Sequence, residues 1–286
     1  AKRKMEEQQD LGLPMMASQK DKSQARKAVS ALQFYALVVA HISALLSAIL
    51  VYTYCAKKDE SGSSGYLGGF NWKEKTFNWH PFLTAVGSIF CGTEGILAFR
   101  TWWFGKPVNK AIHASFLTLA VGLMTVGIIA VFLSHNSIEH SAGGAYVANL
   151  CTIHSWLGLA TYTLFCFQWL TGVFAFVAPT PMALKTTWMP LHIIIGTTSY
   201  IGAAMAVATG FAELTSWMGI GYPVDDKPAL DPAEYYDDIG EGFRVALWCA
   251  FFTFLAVVST IVAVNDSVRI TEEKNKLDLD EGEAYR

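Results

Sequence analysis

Six long runs of apolar residues are the feature that most limits what this chain can fold into. They cover approximately residues 31–55, 80–99, 111–135, 151–177, 188–214 and 245–264. Each has about 20 residues or more, enough at about 1.5 Å per helical residue to cross a hydrocarbon core of about 30 Å. Because backbone groups cannot stay unpaired in lipid, the runs predict six transmembrane α-helices. The predicted fold class is therefore an all-α membrane protein.

Charge is scarce in this chain and unevenly distributed. Only 16% of its 286 residues are charged, whereas about 25% is usual in soluble domains. Lysine and arginine number 15 in the tails and in the loops on the side of the termini, against six in the other three loops. By the positive-inside rule, we predict a multi-pass integral membrane protein with both termini in the cytosol.

The same pattern divides the chain into three segments. Residues 1–30 form a basic tail, residues 31–265 the six-helix membrane domain, and residues 266–286 a charged tail, with both tails cytosolic. The basic tail is either solvated or drawn to lipid headgroups or a partner, and both interpretations stay open. Because residues 1–30 are largely polar, we expect the first helix to act as a signal anchor.

Four histidines lie near the ends at which four consecutive helices enter the membrane. They are His80, His113, His154 and His192, in the second to fifth helices. Successive membrane helices run in opposite directions. His80 and His154 should therefore lie near one face of the bilayer, and His113 and His192 near the other. Helix parity predicts two histidine pairs stacked across the membrane.

Paired neutral imidazoles at these depths are suited to haem iron. No Cys-x-x-Cys occurs among the five cysteines, which excludes covalent c-type attachment and a zinc ribbon. Two axial histidines leave no iron position open for oxygen, which favours electron transfer. We predict a two-haem conduit, in which moving an electron between the haems couples to the membrane potential at about 2.3 kcal/mol per 100 mV. Small residues available where the haem planes pass between helices are Gly87, Gly92, Gly122, Gly158, Gly196, Gly202 and Gly210.

The second and third helices form a hairpin that is similar to the hairpin of the fourth and fifth. The His-x-x-Leu of His80 recurs at His154, and the histidines within the two hairpins are 33 and 38 residues apart. This is typical of a weak parallel repeat, which predicts that each haem lies between helices of opposite hairpins.

Several other ionisable groups have two open interpretations each. His41, in the first helix, is either functional or a neutral imidazole hydrogen-bonded inside the bundle, and Glu94 is protonated or paired. His135 and His140, after the third helix, bind a substrate or metal ion, or are solvated. The acidic loop at residues 222–241 is solvated or concentrates cations.

The short loop before His113 carries three cations, Arg100, Lys106 and Lys110. Lys110 is three residues before His113 and therefore shares its helix face. These cations either anchor helix ends at the headgroups or form a surface for an anionic electron donor.

Taken together, these motifs resemble the cytochrome b561 family of transmembrane ascorbate-dependent oxidoreductases. The resemblance covers roughly residues 35–265. It rests on residues 77–81 (FNWHP), on Arg100 with residues 110–114 (KAIHA), on residues 154–156 (HSW) and on residues 189–192 (MPLH). It implies six helices, of which the second to fifth form a central four-helix bundle holding two b-type haems, and it implies a homodimer.

The resemblance also implies roles for the site residues. The cytosolic haem would be bound by His113 and His192, and the other by His80 and His154. Cytosolic ascorbate would reduce the near haem with help from basic residues, best matched by Arg100, Lys106 and Lys110. His135 would lie near the site at which the far haem reduces monodehydroascorbate or a ferric chelate.

A second function stays open beside this one. The chain could be a haem-bearing accessory subunit of a larger membrane complex, with its tails and long acidic loop as docking surfaces. The quinol-oxidising cytochromes b of respiratory chains fit poorly, because there two helices carry two ligands each. Apart from small substrates, the expected partners are the lipid bilayer and a second copy or a membrane complex, and no nucleic acid.

Overall fold

The computed structural model describes the backbone of residues 19–58, 65–101, 104–137, 148–217 and 240–265, and their side chains except those of 19–29 and 216–217. His140, most of the acidic loop at 222–241, the tail 266–286 and most of the basic tail lie outside the described residues. The predictions made for them stay predictions.

Six helices long and apolar enough to cross a membrane confirm the predicted all-α architecture. We number them α1 (Gln19–Ala56), α2 (Thr76–Thr101), α3 (Lys106–Asn136), α4 (Ile153–Val177), α5 (Met182–Trp217) and α6 (Glu241–Val264). Large apolar side chains are exposed along α1, α3, α4, α5 and α6, as lipid-facing surfaces require, whereas α2 is the most buried span.

Five of the six helices begin earlier than their apolar runs, and α1 and α5 do so by the most. α1 starts at Gln19 rather than near residue 31, and so takes in twelve residues of the predicted basic tail. Those residues are mostly Gln, Lys, Arg and Ala, which favour helix whether or not they are apolar. α5 starts at Met182 and continues through Pro190. The apolar pattern marks the membrane-crossing part of a helix, not its ends.

The helices form the two predicted hairpins and one further pair. α2 packs mainly on α3, α4 packs on α5, and α1 packs on α6. Contacts between the two hairpins are fewer, so the helices that carry the histidines are separated by a cleft. Cys55, Cys91 and Cys249 are buried as free thiols, in keeping with small packing residues.

Both α2 and α4 contain a π-helical turn. It spans Val86–Cys91 in α2 and Val173–Val177 at the end of α4. A π turn holds more residues than an α turn, so it rotates the helix faces that follow it. In α2 it lies between His80 and Gly95, and therefore sets which side chains of the second half face α3.

The chain segment before α2 fixes the start of that helix. Asn78 Nδ2 donates to the carbonyl oxygens of Leu67 at 2.9 Å and Gly69 at 2.6 Å. The Trp79 ring stacks on Trp72, with centroids 5.1 Å apart. Because His80 follows directly, these contacts hold it at the helix entrance.

An exposed ion pair joins the end of α1 to the start of α6. Lys57 Nζ donates to Glu241 Oε2 at 2.7 Å, and this hydrogen bond raises the pKa of the Lys57 ammonium. Since both side chains are about half exposed, the pair contributes little to stability.

Candidate functional site: two histidine pairs

The four histidines meet in the two pairs that helix parity predicts. The ring centroids of His80 and His154 are 6.0 Å apart, and those of His113 and His192 are 6.3 Å apart. We call these the His80 pair and the His113 pair. Each pair joins one helix of one hairpin to one helix of the other. The predicted pairing is confirmed, while haem ligation by these residues stays a prediction.

Three of the four rings are oriented by backbone carbonyls. Nδ1 of His80 lies 3.1 Å from the Gly127 oxygen, Nδ1 of His113 lies 2.7 Å from that of Gly95, and Nδ1 of His154 lies 2.9 Å from that of Ala206. A carbonyl oxygen can only accept, so Nδ1 carries the proton. Nε2 is then the nitrogen with a free lone pair. Metal-binding histidines are oriented in this way in many proteins.

The fourth ring has a different partner. Nε2 of Gln168 lies 2.8 Å from Nδ1 of His192 and also donates to the His192 carbonyl oxygen at 2.6 Å. Gln168 is 7% exposed, and its Oε1 is buried with no hydrogen-bond partner among the described residues. Sequence reasoning missed this residue. A signal existed: Gln168 is 14 residues after His154, close to four helical turns, and so on nearly the same helix face.

A cleft surrounds the His80 pair. It is bounded by α2, α3, α4 and α5 and contains about 1350 Å³ of space, part of it open to the outside. A Cβ built on Gly158 would meet no atom within 4 Å, so this wall of the cleft faces open space. The cleft fits a large flat group held between the hairpins by two imidazoles.

The predicted role of the other glycines is largely wrong. A Cβ at Gly87, Gly92, Gly196 or Gly202 would come within 2.6–3.3 Å of a neighbouring residue. Those four glycines let helices approach closely instead of making room for a cofactor. Sequence alone could not separate the two uses, because both call for the absence of a side chain.

His135 lines the same cleft, and its role at an acceptor site stays a prediction. Its Nδ1 is 3.1 Å from Asn149 Oδ1, and Asn149 Nδ2 donates to Asn136 Oδ1 at 2.7 Å. His135 and Asn149 both line the cleft with the His80 pair. Asn149 is a further residue that the sequence did not single out, since it lies in a polar loop without a distinguishing pattern.

The three predicted cations differ in what they reach. Lys110 Nζ donates to the Phe176 carbonyl oxygen at 2.7 Å, and the Phe176 ring lies 4.9 Å from that of His192. Lys110 is therefore beside the His113 pair. A nitrogen of Arg100 donates to the Val264 carbonyl oxygen at 3.3 Å, at the end of α6. Lys106 is exposed at the start of α3.

His41 and Glu94 form a partly buried polar link between α1 and α2. His41 Nδ1 is 2.8 Å from Glu94 Oε1, and His41 Nε2 is 2.9 Å from Thr101 Oγ1. The prediction that His41 is hydrogen-bonded inside the bundle is confirmed, and Glu94 is paired. Glu94 directly precedes Gly95, whose carbonyl orients His113.

Comparison with known proteins agrees with this geometry. A family model described as eukaryotic cytochrome b561 matches residues 79–218. A transmembrane ascorbate ferrireductase 1 of Arabidopsis thaliana is 33% identical over 188 residues, which is 64% of this chain and 72% of that protein. A lysosomal membrane ascorbate-dependent ferrireductase of Danio rerio is 34% identical over 154 residues, 52% of this chain and 60% of that protein. A probable ascorbate-specific transmembrane electron transporter of Oryza sativa is 32% identical over 63% of this chain and 73% of its own length.

Proposed function

This chain belongs to the eukaryotic cytochrome b561 family, and on that basis we propose that it transfers single electrons from cytosolic ascorbate across a membrane. The acceptor on the other side is monodehydroascorbate or a ferric chelate. The chain is thus an ascorbate-dependent transmembrane oxidoreductase. The names of its relatives, which include ascorbate ferrireductases, support this donor and this type of acceptor.

The observation that carries the proposal is the stacking of two histidine pairs within one bundle. On α2, His80 belongs to one pair, and Gly95, whose carbonyl orients His113, lies beside the other. These two residues are 15 apart, or roughly 20 Å along a helix. His80 and His154 would hold one b haem, and His113 and His192 the other. Haem iron between two imidazoles supplies one-electron exchange without an open position for oxygen.

The residues around the His113 pair are suited to an anionic donor. The Lys110 ammonium, half-buried beside Phe176, would bind and orient the ascorbate anion near the His192 ring. Exposed Lys106 and the Arg100 guanidinium would add to a positive field that attracts the anion. In this proposal Lys110 contacts the donor, while Arg100, bonded at the end of α6, acts at longer range.

The residues around the His80 pair are suited to the acceptor. His135 uses Nδ1 to bond Asn149, which leaves its Nε2 to meet a substrate at the mouth of the cleft. The proposal also takes both termini to be cytosolic, with residues 1–30 and 266–286 as tails of a 31–265 membrane domain, and the protein to be a homodimer. Lysine and arginine are more numerous on the side of the termini than on the other side, and this excess supports the proposed orientation.

The test is a visible spectrum of the purified protein with haem quantified per chain, recorded before and after ascorbate is added. We expect two haems per chain and rapid reduction of at least one by ascorbate. Protein in sealed vesicles loaded with a ferric chelate should then reduce the enclosed iron when ascorbate is supplied outside. Two haems that ignore ascorbate but respond to dithionite would overturn the proposed donor, and a protein that binds no haem would overturn the whole proposal.

A further inference from the structure

The two histidines of the second hairpin, formed by α4 and α5, have similar surroundings. His154 on α4 faces Gly210 on α5, where an added Cβ would lie 2.8 Å from the ring atom Cε1. His192 on α5 faces Gly172 on α4, where an added Cβ would lie 3.0 Å from Cε1. Each ring therefore rests on a glycine of the opposite helix. The antiparallel arrangement makes the two contacts equivalent.

The two histidines differ in their Nδ1 partners, which lie one helical turn before each glycine. Four residues before Gly210, the carbonyl of Ala206 accepts from His154 Nδ1. Four residues before Gly172 stands Gln168, whose side chain meets His192 Nδ1. A side-chain amide thus occupies the place that a backbone carbonyl has at the other three histidines.

The hydrogen bonds of Gln168 decide where the His192 proton lies. With both hydrogens of the amide nitrogen donated, Nδ1 of His192 must accept. A neutral imidazole that accepts at Nδ1 carries its proton on Nε2. Nε2 is the nitrogen that is free at the other three rings. In this arrangement His192 cannot offer Nε2 to a metal.

A half-turn of the amide, with a shift that moves it away from the His192 carbonyl oxygen, resolves this conflict. It brings Oε1, which has no partner among the described residues, to the place where it accepts from a proton on Nδ1. The His192 carbonyl keeps its bond within α5, so no helical group is left unpaired. Gly196 leaves the space needed, since a Cβ there would lie 3.0 Å from the amide nitrogen.

We propose that Gln168 is a positioning residue for His192: its amide turns to accept from Nδ1 when His192 binds iron, and its strength as an acceptor sets the midpoint potential of the haem at the His113 pair. The inference rests on the proposed function. A stronger acceptor at Nδ1 makes the imidazole a more basic ligand, which favours ferric over ferrous iron. The other three acceptors are backbone carbonyls, so Gln168 is the ligand partner that a single side-chain change can alter.

The experiment is a redox titration of the haem-loaded full chain, followed by visible spectra, for wild type, Gln168→Glu and Gln168→Leu. Gln168→Glu supplies a stronger acceptor of nearly equal size and should lower the potential of one haem. Gln168→Leu supplies none and should raise the potential of the same haem. That haem is identified as the one lost in His192→Ala. The potential of the other haem should not change.

Ser199→Ala is the matched control. Ser199 is buried on α5, and its hydroxyl bonds only carbonyls of its own helix, so both potentials should stay at their wild-type values. Shifts of Gln168→Glu and Gln168→Leu in the same direction, equal shifts at both haems, or no shift would each overturn the inference. The haem content distinguishes failure of this inference from failure of the proposed function. Two haems per chain with unmoved potentials defeats this inference alone, whereas no haem in the wild type defeats the proposed function.

Discussion

Both histidines of the His80 pair donate to backbone carbonyls, whereas in the His113 pair His192 instead faces the Gln168 side chain. The ring separations are nearly equal, at 6.0 and 6.3 Å. Position along the helix fixes a backbone acceptor, and no ordinary substitution can remove it. A side-chain acceptor can be exchanged. One bundle with near-repeated hairpins can therefore hold two metal sites of different character.

The two pairs also differ in what surrounds them. The His80 pair opens into a cleft that is also lined by His135 and Asn149. The His113 pair is bordered by the rings of Phe99 and Phe176 and by the Lys110 ammonium. A positive group suits an anionic donor, and an open cleft suits an acceptor of variable shape. The contrast supports the proposal that donor and acceptor bind at opposite ends of the bundle.

Removing one histidine from either pair should have the largest effect. His192→Ala should halve the haem per chain and leave the haem at the His80 pair, because each ring serves only its own pair. His154→Ala should leave the haem at the His113 pair. The haem content and the redox titration of each variant would show whether the remaining haem is the expected one.

His41→Gln is the control for these ligand variants. His41 is partly buried like the four paired histidines, but its ring nitrogens meet Glu94 and Thr101 and it pairs with no other histidine among the described residues. We expect it to keep two haems. If His192→Ala and His154→Ala lost the same haem, the separation into two pairs would be wrong.

Lys110→Ala should have the next largest effect, confined to the His113 pair. Hydrogen bonds to charged groups are worth about 1.5–3 kcal/mol, so reduction by ascorbate should slow by about tenfold to a hundredfold. Reduction by dithionite should not change. Stopped-flow absorbance of the haem band measures both rates.

Lys185→Ala is the matched control, because Lys185 is, like Lys110, a partly buried cation, and helix parity assigns it to the same face. It should slow ascorbate reduction far less. Arg100→Ala should fall between the two, since Arg100 bonds the end of α6. Equal slowing in Lys110→Ala and Lys185→Ala would reduce the role of Lys110 to general attraction.

Sequence predicted the pairing because pairing depends only on helix order. His80 and His154 share a face whenever two helix reversals separate them, whatever the rotation of each helix. The same argument could not reveal Gln168, since its contact with His192 depends on how α4 and α5 are rotated about their axes. The π turn in α2 changes rotation in a way that no apolar pattern records.

The sequence likewise could not predict in which direction each charged side chain points. Arg100 and Lys110 are both cationic side chains that flank one short loop, yet one bonds the end of α6 and the other the end of α4. Only the packing of those distant ends decides this. His41 and Glu94 show the reverse case, because burial of two ionisable groups in apolar helices itself predicts that each needs a partner.

Gly210→Ala should weaken the His80 pair, and Gly172→Ala should weaken the His113 pair. The added methyl would lie 2.8 Å from the His154 ring in the first variant and 3.0 Å from the His192 ring in the second. Overpacking of this kind costs about 1–3 kcal/mol, so each variant should lose part of one haem. We expect the larger loss from Gly210→Ala. Haem per chain measures it.

Gly122→Ala is the control for the glycine variants, since a Cβ there would meet nothing within 4 Å. It should retain both haems. A loss from Gly122→Ala as large as that from Gly210→Ala would mean that methyl groups disturb this bundle generally, and the specific contact with His154 would carry no weight.

His135→Ala should have the smallest effect. That effect should be at the His80 pair, whereas the effect of Lys110→Ala should be at the His113 pair. Loss of one hydrogen-bonding side chain from the mouth of the cleft costs about 0.5–1.5 kcal/mol, so oxidation of the reduced protein by a ferric chelate should slow by about two- to tenfold. Reduction by ascorbate should keep its wild-type rate. Asn71→Ala, at an exposed neutral residue of the segment before α2, should leave both rates unchanged. If His135→Ala slowed reduction by ascorbate instead, donor and acceptor would have to exchange ends, and the orientation of the whole chain in the membrane would reverse with them.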